Sequence, residues 1–149
     1  MALTLGIPRK YNEMALYLAI AAAIAIGTYL ILHSLAGGVL HGHFIPDNPS
    51  PTYSQGHLIE FGVTNLGKKP LVLPGTNPWE ILDSNLGVIF QPDNISDAQQ
   101  PLLGQHSAQW SWDQRLSNGQ LLLPGSYSIK IDYLDGGKPA AVVIHFSVD

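Results

Sequence analysis

Residues 126–148 read SYSIKIDYLDGGKPAAVVIHFSV. In the first half Tyr127, Ile129, Ile131 and Tyr133 alternate with Ser126, Ser128, Lys130 and Asp132, and in the second half Val142, Ile144, Phe146 and Val148 are spaced the same way. A period of two places each apolar set on one face of a strand. Leu134-Asp135-Gly136-Gly137-Lys138 between them predicts a hairpin with a five-residue loop. The two strands would each carry one apolar face that must cover another.

The same pattern recurs toward the N-terminus. In HLIEFGVTN, Ile59, Phe61 and Val63 share a face, and Leu71-Val72-Leu73 follows a Gly-Lys-Lys-Pro turn. WEILD and VIFQ flank Ser84-Asn85-Leu86-Gly87, a hairpin-like connection. In HSAQWSW the residues His106, Ala108, Trp110 and Trp112 lie on one side. Residues 57–149 thus predict about seven short strands and no helix, which fits an antiparallel, immunoglobulin-like β-sandwich. The chain has no cysteine, so the domain lacks the disulfide of true immunoglobulin domains.

Certain runs carry a resemblance. Val63-Thr64-Asn65, the Asp83 to Gly87 hairpin, Trp110 to Asp113, and Asn118-Gly119 through Pro124-Gly125-Ser126-Tyr127 resemble the intracellular proteinase inhibitor (BsuPI-like) family of Ig-like domains. Asp83 and Gly87 stand one residue further apart than in that pattern. The resemblance implies the sandwich fold, and as a function class a protein-binding module or protease inhibitor.

Upstream the chain changes character. Met14 to Leu32, MALYLAIAAAIAIGTYLIL, contains nineteen positions without a charge. As a helix it would span roughly 28 Å, close to the ~30 Å hydrocarbon core, and it exceeds the ~7–15 apolar residues of a signal peptide. The reading is a retained single-pass anchor over residues 14–40, an N-terminal segment 1–13 in the cytoplasm, a Pro/Gly-rich linker over 41–56, and the β domain over 57–149. Arg9 and Lys10 precede the apolar run and the next base is Lys68, so the domain is expected outside the cytoplasm. Within the anchor, Ala15, Ala19, Ala23 and Gly27 recur every four residues, a small-residue face on which another helix can dock closely. The expected partners are the lipid bilayer and other integral membrane subunits.

Composition excludes several classes. The length, 149 residues, leaves no room for a large multidomain enzyme, and 7 Lys+Arg against 11 Asp+Glu argue against nucleic-acid binding. With no cysteine there is neither a thiolate zinc site nor a Cys nucleophile. The motifs of serine hydrolases, P-loops, dinucleotide sites and zincins are missing, so no catalytic residues are assigned and the protein is read as not an enzyme. The expected function is an accessory or stabilising subunit of a larger membrane complex; a copper oxidase or monooxygenase is one host class. The alternatives are the binding module named above and a subunit of a surface filament.

Three further features bear on sites. His41 and His43 would point the same way in an extended segment, either solvated or holding copper or zinc with ligands from a partner. Trp110 and Trp112 share a face, so both pack in the core or both form a protein-contact patch. Asn94-Ile95-Ser96 fits the N-glycosylation pattern, and His57, His106 and His145 are read as ordinary sheet residues.

Overall fold

The computed structural model describes residues 39–93 and 96–149. These are mainly β, with no helix among them, and therefore none long and apolar enough to cross a membrane. The anchor segment up to residue 38 lies outside the described residues.

Ten strands follow in order: β1 (Leu40–Phe44), β2 (Thr52–Tyr53), β3 (Ile59–Asn65), β4 (Leu71–Leu73), β5 (Trp79–Leu82), β6 (Val88–Phe90), β7 (Gln100–Leu102), β8 (Ser107–Trp112), β9 (Gly125–Asp135) and β10 (Lys138–Val148). A three-stranded sheet runs β1-β3-β8 and a larger one runs β2-β10-β9-β4-β7. β5 joins the larger sheet on β9 and carries β6 on its other edge. β9 is long enough for β5 and β4 to share one of its edges in succession, through Leu82↔Ser128 to Trp79↔Ile131 and then Val72↔Leu134.

The alternation found in the sequence sets which residues meet. Phe44, Ile59, Phe61, Val63 and Trp112 of the small sheet are buried with Leu71, Trp79, Ile81, Ile129, Ile131 and Phe146 of the large one, in a single apolar cluster. Phe61 meets Trp79 edge to face with ring centres 5.1 Å apart, and Phe44 meets Phe146 at 6.2 Å. Each such side chain withdrawn from water contributes about 1.5–3 kcal/mol, so these cross-sheet contacts hold the two layers together.

The fold departs from expectation at five points. The stretch 41–56 was expected as a spacer, yet it contains β1 and β2. Leu40, given to the anchor, is the first residue of β1. Gly42 sits in an inward position of β1, and the missing side chain interrupts the apolar period there. Seven strands become ten, because β1, β2 and the Pro-containing β7 carry too little alternation to be seen. The sheets are not wholly antiparallel, since β2 runs parallel to β10 at Ser147↔Thr52 and Val148↔Tyr53. The expected five-residue loop is a two-residue turn: Lys138 pairs with Asp135, and Gly136 and Gly137 take φ of 57° and 82°. Two successive left-handed residues match the twist of the flanking strands, which lets pairing reach the tip.

Candidate functional site

β1 pairs along its whole length with β3, Leu40↔Asn65 to Phe44↔Phe61, and its other side lies along β10. A groove of about 450 Å³ follows that seam, lined by His41, His43, Asp47, Asn48, Val143 and His145 among others. Because Leu40 and Phe44 are turned into the core, the intervening His41 and His43 share the opposite side. Their rings stack, 6.1 Å between centres and 11° between planes. Shared zinc or copper coordination would need both ring nitrogens at roughly 2.0–2.1 Å from one ion. Among the described residues no group of three or more His, Cys, Asp or Glu is placed to hold a metal.

His145 also borders a second groove of about 290 Å³, with Asp83, Tyr127 and Ser128. Its Nδ1 lies 2.8 Å from Ser128 Oγ, and the two residues are cross-strand partners. That is nucleophile-to-base spacing. Ser128 is only 6% exposed. The contact ties β9 to β10. The Tyr127 hydroxyl donates to Leu123 O at 2.8 Å, and burial, then the nearby Asp83 charge, push its pKa up from 10.0.

The tryptophans resolve in favour of the core. Trp112 is buried, and its Nε1 donates to Arg115 O at 3.0 Å. Trp110 is half-buried against Phe61 and donates to Thr76 O at 2.9 Å. A displayed contact patch is therefore replaced by two side chains facing the opposite sheet. The small-residue row Ala15, Ala19, Ala23, Gly27 and the acceptor Asn94 lie outside the described residues.

Two buried amides were not singled out from the sequence, and each organises one end of the domain. At one end Asn65 donates from Nδ2 to Lys69 O (2.8 Å) and Leu102 O (3.0 Å), while its Oδ1 accepts from Gly67 N (3.0 Å). At the other, Gln114 donates from Nε2 to Ser54 O and His57 O and accepts at Oε1 from Gly56 N. Both are fully buried. Asn65 carried a readable signal, an Asn two residues before a turn glycine. Gln114 carried none, because its partners lie 57 to 60 residues away.

On the outer side of the larger sheet, Lys130 Nζ donates to Glu80 Oε1 at 2.7 Å and to Asp132 at 3.3 Å. The Glu80 hydrogen bond raises the Lys130 pKa from 10.5 against the opposing effect of burial. With this geometry in hand, no family model and no curated protein matches the chain.

Proposed function

We propose that the chain is a single-pass membrane protein that presents an Ig-like β-sandwich outside the cytoplasm and serves as an accessory or stabilising subunit of a larger membrane complex. The observation that carries this reading is the uncharged nineteen-residue run Met14–Leu32, joined within a few residues to an all-β domain. Two layers sharing one core support the sandwich. So does Tyr127, whose hydroxyl reaches the carbonyl four residues upstream near the start of β9, as tyrosines of Ig-like domains do at the entry to a strand. The four-residue spacing of Ala15, Ala19, Ala23 and Gly27 supports a helical partner in lipid.

The test is isolation of the tagged full chain from its native membranes in mild detergent, followed by size-exclusion chromatography and mass spectrometry. Co-elution with an integral membrane protein at fixed stoichiometry is expected. A monodisperse monomer at native abundance overturns the subunit reading. Protease added to intact cells should cleave the β domain; protection would reverse the topology.

A further inference from the structure

We infer that the end of the β domain at which the chain enters rests on an anionic lipid surface, contacted by Leu66 and Leu103 and by the Lys68–Lys69 pair. The inference rests on the reading of residues 14–32 as a membrane anchor.

Three segments meet at this end. Leu66 N donates to Val39 O at 2.8 Å, so the entry strand and the β3–β4 turn are joined at their first residues. The β7–β8 turn is seated on the β3–β4 turn. Gln105 N donates to Asn65 O, and a Cβ added to Gly104 would stand 2.7 Å from Gly67 O. Asn65 locks the arrangement from below through Lys69 O, Gly67 N and Leu102 O. Val39, Leu66 and Leu103 are each 52% exposed on this rim, and Lys68 and Lys69 are exposed beside them.

Exposed leucines alone do not choose a face, because Leu86 and Leu123 are each 71% exposed at the opposite end. Charge and chain entry choose it. Of the five bases beyond residue 40, Lys68, Lys69 and Lys138 lie at the entry end, where Asp135 stands across the Gly136–Gly137 turn, while Asp93 and Asp97 lie in the β6–β7 connection beside Asn77 and Thr76. The far end gathers Asp47 after β1, Asp83 after β5, Asp113 after β8 and Asp149 after β10. Its base is Arg115, paired with Asp113 at 3.6 Å. The domain as a whole is acidic and is not drawn to anionic lipid, but it is electrically polarised, and its basic pole is where the chain comes in. Only residues 33–38 separate Leu32 from Val39, a reach of at most about 25 Å even fully extended. Aliphatic side chains flanked by lysines suit the boundary between acyl chains and anionic headgroups.

Because the chain has no native cysteine, single labels can be placed by substitution. The full chain carrying Leu66→Cys, Leu103→Cys, Leu123→Cys or Ile24→Cys is labelled with an environment-sensitive fluorophore. It is reconstituted into phosphatidylcholine–phosphatidylglycerol vesicles with or without a nitroxide quencher lipid. Labels at 66 and 103 should be quenched roughly twofold or more relative to 123, and Lys68→Gln/Lys69→Gln or raised salt should reduce the difference. Equal quenching at 66, 103 and 123 with strong quenching at 24 overturns the lipid contact alone. A difference unmoved by the lysine changes overturns the role of anionic lipid. No quenching at 24 overturns the anchor and the contact together.

Discussion

A Cβ built on Gly42 would stand 2.8 Å from Ile144 Cγ2, closer than carbon atoms in proteins approach. β1 therefore lies directly against β10, and the seam that bears the histidine groove depends on a residue with no side chain. Gly42→Val should destabilise the fold by about 1–3 kcal/mol through overpacking, read as a lowered denaturation midpoint. Combined with Ile144→Ala the loss should be smaller than the sum of the two single effects, because the second change vacates the contested space. Simple additivity would show that the two residues do not meet.

Asn65 binds three backbone groups, the Lys69 and Leu102 carbonyls and the Gly67 N–H. Asn65→Leu should cost about 1–3 kcal/mol for each group left unpaired. Amide exchange at Gly67 should rise first, because its N–H loses its acceptor. Unchanged protection at Gly67 would contradict the clamp.

The β9–β10 turn responds to backbone strain and not to crowding, since nothing lies within 4 Å of a Cβ at Gly136 or Gly137. Gly136→Asn should leave stability unchanged or raise it slightly, whereas Gly137→Val should cost about 1–2 kcal/mol. Equal effects of the two substitutions in urea denaturation would refute a turn with both residues left-handed.

Alkaline pH should weaken the domain. Lys130 is raised from 10.5 by its hydrogen bond to Glu80, so the protonated partner contributes fully below that value and its contribution is lost as pH climbs through the higher folded one. Tyr53 and Tyr127 are raised from 10.0, chiefly by burial. The unfolded chain ionises them first, which also favours unfolding above pH 10. Urea midpoints should be flat from neutral pH to about 9.5 and fall beyond it. In Glu80→Gln the fall should be shallower, and an identical slope would remove the pair from the account.

The stretches at 59–65, 79–82, 107–112, 127–133 and 142–148 were legible as strands, and in 59–65, 127–133 and 142–148 so was the apolar face. Alternation on a strand is a local property that burial on one side imposes directly on residue type. The same logic made the charge-free run at Met14–Leu32 stand out. What the chain alone did not disclose depends on pairing between distant segments. β1 and β2 hide among glycines and prolines because neighbours, not their own pattern, hold them in line. The core-facing choice for Trp110 and Trp112 depended on which sheet lay opposite. Gln114 gained its role only when Ser54, Gly56 and His57 were folded against it. The polarity of the domain likewise required knowing which turns share an end, since Lys69 and Lys138 are far apart in sequence and come to the same end only after the sheets form. Local alternation is encoded residue by residue, whereas long-range contact arises from topology, and the candidate surfaces of this protein belong to the second kind.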